Sequence, residues 1–269
     1  MPGRKIKVAV IDLYNNKPNK EIDCIKDIIS ESDLEYGIFE TRYKNDIPDI
    51  DYDIFISSGG PGDPFDGEGT SWERKYFNLL DRINSLNSNS NDGKKYLFFI
   101  CHSFQLMARY YNFADINRAP LKSFGLLPFD ITEDGKADPL FKELQNPFFA
   151  TDMREYQVVN PDMKKFHDLN AKILSVENEN EGNYKALAAV RISDEIIGTQ
   201  FHPEIDPENM SYYLRQENHR KQIIEKYNEK RYNEMLDFSN QPDKLPLTRK
   251  TILPNFLKSA IEKISITMK

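Results

Sequence analysis

The stretch YLFFICHSFQLMARYY (residues 96–111) places a thiol between two different hydrophobic patterns. Residues 96–100 are apolar or aromatic without a polar interruption, which is typical of a buried strand. After Cys101, apolar side chains recur at helical spacing, which predicts a helix. Cys101 therefore lies at a strand-to-helix corner. A cysteine there is either a small core residue or a nucleophile held out at the end of a sheet, as in a nucleophile elbow.

The segments before this stretch alternate between strand and helix patterns. Strands are predicted at 7–13, 35–43, 52–64 and 96–100, helices at 18–32 and 71–86, and a polar connector at 87–95. This alternation predicts an α/β fold with a mostly parallel central sheet and helices on both faces. Ligands of such sheets bind at the carboxyl ends of the strands, where both the glycine-rich SGGPG (58–62) and Cys101 fall.

The second half of the chain has a different pattern. Short strands are predicted at 123–132, 148–153, 171–177, 185–192 and 195–204. A charge-balanced helical segment (208–238), a connector (239–248) and a last helix (252–264) follow. The sequence has neither an internal repeat nor a linker typical of two domains. We therefore predict a single domain over residues 1–269, with a helical insertion at about 208–250.

Composition narrows the class of protein. The 269 residues are 39% hydrophobic and 29% charged, which is typical of a soluble globular chain rather than a disordered one. The net charge of −7 argues against a general nucleic-acid binder, which would carry a basic surplus. Two cysteines, Cys24 and Cys101, are too few for a disulfide framework. We therefore expect a reducing, cytoplasmic setting. No stretch has the pattern of a signal peptide or a membrane span.

The segment QFHPEID (200–206) brings an imidazole and a carboxylate together. Pro203 disfavours helix at His202, so the segment is expected to be extended. Side chains two residues apart in extended backbone point to the same face, so Glu204 can hydrogen-bond one ring nitrogen of His202 and leave the other free. A general base needs that fixed tautomer, and an imidazole near a thiol favours the reactive thiolate. The alternative is a strand end with a surface histidine and glutamate.

Backbone N–H groups at two strand ends are candidates for an oxyanion hole. The segment SSGGPGDP (57–64) ends a predicted strand with Gly59, Gly60 and Gly62, and such a turn can aim N–H groups at a developing negative charge. At a nucleophile elbow the residue after the nucleophile supplies another N–H, here that of His102. The alternative for the glycines is an ordinary strand-to-loop turn.

The order of these features resembles the class I (triad) glutamine amidotransferases, in particular the glutaminase domain of GMP synthase. That family reads G-x-C-x-G-x-Q at the nucleophile, where this chain reads FICHSFQ (99–105). It reads G-G-P in the oxyanion loop and Q-F-H-P-E late in the domain, which residues 200–204 match in full. Its last helix is similar to ILPNFL (252–257). The resemblance covers about residues 5–205 and 250–265, and it implies a flavodoxin-like fold.

The resemblance implies a Cys–His–Glu triad. Cys101 would be the nucleophile, His202 the base and Glu204 the carboxylate that orients it, while Gly60 and His102 would supply oxyanion N–H groups. The cysteine would attack the side-chain amide of glutamine, the histidine would protonate the departing ammonia, and water would hydrolyse the γ-glutamyl thioester. Neither a cofactor nor a metal ion is expected.

The resemblance also implies substrate contacts. Gln105 would contact the glutamine substrate. The family's substrate-gating segment aligns with MREYQV (153–158), so Arg154 and Tyr156 are expected beside the substrate. An arginine there could hold a carboxylate through two hydrogen bonds, and the substrate would then differ from free glutamine. The alternative is that Arg154 is a surface residue in a different local alignment.

The chain departs from the family at the elbow, where Phe99 and Ser103 replace two glycines. Glycine lets strand and helix approach closely around a strained residue, so the local backbone is expected to differ. Three functions stay open: a glutamine-hydrolysing amidotransferase, a γ-glutamyl hydrolase that acts on another γ-glutamyl compound, and a catalytically weak or inactive homologue that docks a partner. The intact Cys101, His202 and Glu204 count against the third, whereas the replaced glycines and the lack of a synthase module count for it.

The expected partners follow from these readings. The substrate is glutamine or another γ-glutamyl small molecule. Ammonia would pass to an unknown acceptor or to a synthase encoded separately, because the sequence has no G-x-x-x-x-G-K-[ST] motif for ATP. Neither nucleic acid nor membrane is expected as a partner, and a homo-oligomer stays open. Because the helical segment at 208–238 begins just after Glu204, we expect Tyr212 or Tyr213 to border the catalytic pocket.

Overall fold

The computed structural model describes residues 4–89, 93–178 and 185–267. The described residues form nine strands: β1 (Lys7–Asp12), β2 (Glu35–Glu40), β3 (Ile54–Ser57), β4 (Tyr96–Ile100), β5 (Asp115–Ile131), β6 (Phe148–Val159), β7 (Lys172–Glu177), β8 (Leu187–Arg191) and β9 (Ile196–Thr199). They also form ten α-helices: α1 (Glu21–Ser30), α2 (Thr41–Lys44), α3 (Ser71–Asn89), α4 (His102–Tyr111), α5 (Glu133–Ala137), α6 (Met163–Leu169), α7 (Pro207–Arg215), α8 (Glu217–Lys226), α9 (Glu229–Phe238) and α10 (Leu245–Thr267). A short 3₁₀ helix covers Pro139–Phe141.

The strands form one sheet in the order β2-β1-β3-β4-β9-β8-β7-β5-β6. The first five strands of that order pair in parallel, and the remaining pairs are antiparallel. The α/β class is therefore confirmed, and the parallel pairing is confined to one half of the sheet. Strands β7, β8 and β9 are antiparallel because the connections at 178–186 and 192–195 are too short for the crossover that parallel strands need.

Helices cover both faces of the parallel half, as predicted. Along β1, Val8 and Val10 join a core cluster with the apolar side chains of α1 and α10. The alternate residues Ala9 and Ile11 join a second cluster with α3 and α4. Because both faces of β1, β3 and β4 are buried, these strands read as mainly apolar runs rather than as an alternating pattern, unlike the edge strand β2. That the whole chain is a single domain stays a prediction.

Several predicted boundaries differ from the structure. β5 begins at Asp115 rather than at residue 123, because its polar first residues pair with the end of β6. The register of this pair shifts between Arg118 and Ser123, a stretch that contains Pro120, which cannot donate a ladder hydrogen bond. Of the connector predicted at 87–95, residues 87–89 continue α3, whereas 90–92 lie outside the described residues.

Other predicted elements end early or begin early. The strand predicted at 35–43 ends at Glu40, and the short helix α2 follows it. The strand predicted at 195–204 ends at Thr199. The last helix begins at Leu245 rather than at residue 252, and it contains Pro254 without ending there.

The helical segment predicted at 208–238 consists of three helices, α7 to α9, rather than one. Backbone in an extended conformation at Gln216 and Asn228 separates them, and the Asn228 side chain accepts a hydrogen bond from Arg231 N–H at the start of α9. The apolar residues of these helices are buried against the same chain: Met210, Leu214, Ile223, Tyr232 and Met235. The insertion therefore packs on its own sheet, as expected from its apolar stripe.

Close packing of α4 on the sheet depends on Gly198 in β9. A Cβ atom at this position would lie 2.7 Å from the Phe104 ring and 3.1 Å from the Met107 side chain. Gly198→Ala is therefore expected to reduce the free energy of unfolding by about 1–3 kcal/mol, because the helix must shift. Denaturant unfolding measures this loss. The exposed Lys258→Ala should change stability by less than about 0.5 kcal/mol, and an equally small loss at Gly198 would contradict the packing argument.

Candidate active site

The backbone of Cys101 is the sharp corner predicted between strand and helix. The residue has φ 51° and ψ −103°, so it lies in a left-handed region that residues other than glycine rarely adopt. Its N–H donates to the Thr199 carbonyl at 2.7 Å, and its carbonyl accepts from Gln105 N–H at 3.1 Å. Such strain persists only where the surroundings enforce it, and it is typical of a catalytic elbow.

Ser103 ties the elbow together where the family has a glycine. Its hydroxyl accepts from Ile100 N–H at 2.8 Å and donates to the Ser57 carbonyl at 2.7 Å, which joins the ends of β4 and β3. Phe99, at the other replaced position, is fully buried and pairs with Gly198 on β9. The chain therefore forms the elbow without its glycines, because Ser103 adds hydrogen bonds and Gly198 leaves room for α4.

His202 and Glu204 form a buried pair, as their spacing predicts. His202 Nδ1 lies 2.8 Å from Glu204 Oε1, and His202 N–H donates to the Thr151 carbonyl at 2.8 Å. Burial lowers the pKa of His202, but the Glu204 carboxylate and the Cys101 sulfur outweigh it, so the pKa is raised well above its usual value. With Nδ1 engaged by Glu204, the Nε2 atom is left for other chemistry.

Gly59 contacts the imidazole, a role that its place in the sequence does not reveal. A Cβ atom on Gly59 would lie 2.7 Å from His202 Cε1 and 2.9 Å from the Tyr14 hydroxyl. The glycine therefore lets the turn after β3 pack directly against the imidazole ring. The double glycine in SSGGPGDP indicates a turn that another group can approach closely, but the sequence alone does not identify that group as the His202 ring.

The sulfur of Cys101 has two further polar neighbours. It lies 3.6 Å from the Met153 carbonyl and 3.7 Å from Gln200 Nε2. Gln200 is fully buried and also accepts from the Gln105 side chain at 3.3 Å. The first residue of the QFHPE motif thus lies beside the sulfur.

Two cavities meet at Cys101, and they divide the predicted site residues between them. The inner cavity, of about 110 Å³, is lined by Gly60, Gln105, Arg154 and Tyr156 as well as by Cys101. The outer cavity, of about 310 Å³, is lined by His202 in addition to Gly60 and Cys101. A third cavity of about 510 Å³ lies beyond Arg154, but its described lining contains neither Cys101 nor His202.

Gly60 and His102 differ in what their surroundings allow. A Cβ atom on Gly60 would lie 2.5 Å from the Leu13 carbonyl oxygen, so only glycine fits there. The His102 ring is buried, and burial, with the nearby Arg42 and Arg109, lowers its pKa to about 3. His102 is therefore neutral. It is not among the described residues that line either cavity. Only its backbone N–H is a candidate for contact with substrate.

Arg154 and Tyr156 both line the inner cavity, but each already has a protein partner. The Arg154 guanidinium is 2% exposed and forms ion pairs with Glu177 and, at 3.4 Å, with Asp152. The Arg154 Nη1 atom has no hydrogen-bond partner among the described residues, so it is left for a substrate group. The Tyr156 hydroxyl donates to Asp63 at 2.5 Å, which ties β6 to the glycine-rich turn. Both roles in substrate binding stay predictions.

The insertion contributes to the outer cavity. Tyr213 lines it, as expected, whereas Tyr212 is 54% exposed and does not. The Tyr213 hydroxyl lies 3.1 Å from Glu21 and accepts from Lys20 N–H at 3.0 Å. Burial raises the pKa of Glu21. Nothing local in the sequence relates Tyr213 to Glu21, so this contact was not predicted.

Within the described residues, no group of three or more His, Cys, Asp or Glu side chains could hold a metal ion. No helix in the described ranges has both the length and the apolar character needed to cross a membrane.

The sequence profile of class I glutamine amidotransferases matches residues 10–220, which include the elbow and the His202–Glu204 pair. The chain belongs to the class I glutamine amidotransferase family. No curated protein sequence gives a significant match to it.

Solved structures share the amidotransferase fold at low sequence identity. A glutamine amidotransferase from Thermotoga maritima has a TM-score of 0.70 at 15% identity, covering 96% of this chain and 99% of its own. A candidate GMP synthase component from Thermoplasma acidophilum has a TM-score of 0.60 at 15% identity, covering 99% of each chain. The glutaminase domain of Trypanosoma brucei CTPS with bound acivicin has a TM-score of 0.52 at 16% identity, covering 75% of this chain and 87% of its own. These likenesses show the fold.

The two cysteines should differ sharply in reactivity. Cys24 is fully buried on α1, and burial raises the pKa of its thiol above the usual range. Cys101 lies at the elbow and lines both cavities. Limited alkylation of the native protein at pH 7, read by mass spectrometry, is expected to modify Cys101 first. Equal labelling of the two thiols would contradict the nucleophile assignment.

The role of Ser103 can be tested by removing its hydroxyl. Ser103→Ala takes away the acceptor for Ile100 N–H and the donor to the Ser57 carbonyl, so we expect a loss of about 1–3 kcal/mol in the free energy of unfolding. Ser32→Ala, at an exposed position, is the control. If both variants unfold at the same denaturant concentration as the parent protein, the elbow does not depend on this hydroxyl.

Proposed function

We propose that this protein hydrolyses the side-chain amide of glutamine through a Cys101–His202–Glu204 triad. The observation that carries the proposal is the buried His202–Glu204 pair, whose His202 lines the same cavity as a cysteine on a strained elbow. Membership of the class I family supports the reaction type. The inactive-homologue reading is less favoured, because the elbow strain is retained despite the loss of both glycines.

In the first step the Cys101 thiolate attacks the amide carbon and forms a carbon–sulfur bond. Because the pKa of His202 is raised, the ring holds a proton at neutral pH and can donate it to the departing nitrogen. The carbon–nitrogen bond breaks, and ammonia leaves. Glu204 keeps the ring oriented and stabilises its positive charge throughout.

Backbone N–H groups of Gly60 and His102 stabilise the negative charge that develops on the substrate oxygen. His102 is the first residue of α4, so its N–H has no partner within the helix and also benefits from the positive end of the helix dipole. Water then hydrolyses the γ-glutamyl thioester, with His202 now accepting a proton, and glutamate leaves.

The acyl part of the substrate occupies the inner cavity. Gln105 is held there by its bonds to the Tyr156 carbonyl at 2.9 Å and to Gln200. Arg154 and Tyr156 line the same cavity, together with Lys122 and Glu155. The ammonia passes to an acceptor on a separate synthase, in keeping with the family and with the fold shared with the Thermoplasma acidophilum protein.

The triad assignment predicts how the losses of activity combine. Cys101→Ala and His202→Ala should each reduce kcat for glutamine hydrolysis by about 10³-fold or more, and the double variant should lose little beyond that. Glu204→Gln should cost less, since the ring keeps its position while control of its tautomer weakens. Ammonia release under saturating glutamine measures all four variants. Losses that multiply in the double variant would show that Cys101 and His202 do not act as a unit.

A further inference from the structure

The two cavities at Cys101 differ in which side of a scissile amide they can hold. His202 lines only the outer cavity, whereas Gln105 and Tyr156 line only the inner one. A group that protonates the departing nitrogen must face that nitrogen. If the triad acts as proposed above, the acyl group therefore lies in the inner cavity and the leaving amine in the outer one.

The outer cavity is far larger than ammonia needs. Its volume is about 310 Å³, whereas a water-sized molecule takes up about 30 Å³. Sites for small organic ligands begin at roughly 300 Å³. The outer cavity is thus large enough for an amine with several heavy atoms.

The insertion forms part of this cavity. Tyr213 of α7 and His219 of α8 both line it, and the His219 ring stacks on Phe124 of β5 with centroids 3.9 Å apart. In addition, Gln222 and Lys226 of α8 lie within hydrogen-bond reach of the Lys122 carbonyl, at 3.5 and 3.4 Å. The insertion therefore both walls the cavity and holds the strand segment that presents Lys122 to it.

The charges at the cavity rim favour an anion. Lys17 and Lys122 are both exposed and both line the outer cavity, and Lys122 lines the inner cavity as well. Lys122 pairs with the half-exposed Glu155, and within the described residues Lys17 has no carboxylate at ion-pair distance. The acid on the cavity wall, Glu21, is 4% exposed and is engaged by Tyr213 and Lys20. The accessible charge at the rim is therefore mainly positive.

We propose that the physiological substrate class is a γ-glutamyl amide whose leaving amine carries a carboxylate, as in a γ-glutamyl peptide, and that Lys17 and Lys122 bind that carboxylate in the outer cavity. This inference rests on the triad chemistry proposed above and specifies its substrate. With such a substrate the released product is the amine, so transfer of ammonia to a synthase applies only when glutamine is hydrolysed. The Cys101 sulfur bonds to the γ-carbonyl carbon, the carbon–nitrogen bond breaks, and His202 gives its proton to the amino group that leaves. Water then cleaves the thioester to glutamate and the free thiol.

Four substrates that share the glutamyl group separate the contributions of size and charge. These are glutamine, γ-glutamyl methylamide, γ-glutamylglycinamide and γ-glutamylglycine, with glutamate release as the common readout. We expect kcat/KM for γ-glutamylglycine to exceed that for γ-glutamylglycinamide by about tenfold, because only the former carries the charge. We also expect it to exceed that for glutamine.

Lysine variants test the named residues. Lys17→Gln and Lys122→Gln should each reduce the ratio of kcat/KM for γ-glutamylglycine over γ-glutamylglycinamide, the double variant should remove most of the preference, and Lys122→Arg should keep it. The exposed Lys258→Gln, outside the cavity lining, should leave the ratio unchanged. Titration calorimetry of Cys101→Ala with γ-glutamylglycine gives a binding readout that does not depend on turnover.

The outcomes distinguish this inference from the triad proposal. If glutamine is hydrolysed while γ-glutamylglycine is neither cleaved nor bound, the substrate class is wrong and the triad chemistry stands. Equal rates for the peptide and its amide would overturn the role of the lysines. If no γ-glutamyl compound is cleaved and Cys101→Ala binds none of them, the triad proposal fails and this inference fails with it.

Discussion

The conformation of Cys101 is the constraint on which the site depends. A non-glycine residue at φ 51° is strained, and the fold must hold it from several sides. The Thr199 carbonyl accepts a hydrogen bond from the Cys101 N–H. The Ser103 hydroxyl accepts one from Ile100 N–H, before the corner, and donates one to the Ser57 carbonyl at the end of β3. The sulfur consequently lies at the carboxyl ends of the parallel strands rather than in the core beneath them.

The chain retains the elbow although the family's two elbow glycines are absent. The close approach of helix and sheet is still required, but here it depends on Gly198 of the neighbouring strand. A bulky Phe99 is accommodated because it lies opposite that glycine. The space that an elbow needs can thus come from a glycine on a neighbouring strand as well as from glycines beside the nucleophile.

The two buried histidines differ in charge because their neighbours differ. His202 is buried between a carboxylate and a sulfur, so its charged form is favoured in spite of desolvation. His102 is equally buried, and burial, reinforced by the nearby Arg42, lowers its pKa, so it stays neutral. Burial alone does not decide the charge of an imidazole; the sign of the nearest charge does. Of the two, His202 has the charge that protonation of a leaving group requires.

The insertion changes the surroundings of the site rather than its reacting groups. Its three helices bury their apolar residues against β5 and β6, and Gly125 permits the close approach of Met235, whose sulfur would lie 2.6 Å from a Cβ atom there. This packing brings Tyr213 and His219 to the outer cavity. The reacting groups Cys101 and His202 come from the sheet and the segments that follow its strands, whereas Tyr213 and His219 come from the helices that follow Glu204.

Some features could be predicted from the sequence alone because they depend on local periodicity. The apolar run before Cys101 and the helical spacing after it predict the corner, and the two-residue spacing in QFHPE predicts the His202–Glu204 pair. Local periodicity does not predict the start of β5, because its first residues are mostly polar. It also does not predict the breaks between α7, α8 and α9, which lie within one continuous helical pattern.

Other features were decided only by the tertiary structure. The contact between Tyr213 and Glu21 joins residues 192 positions apart. The carboxylate of Glu177, which pairs with Arg154, lies on a different strand. The positions of Lys17 and Lys122 at one rim are of the same kind. Local patterns report the conformation of a segment and which side it buries, but which segments meet depends on how the whole sheet and its helices pack.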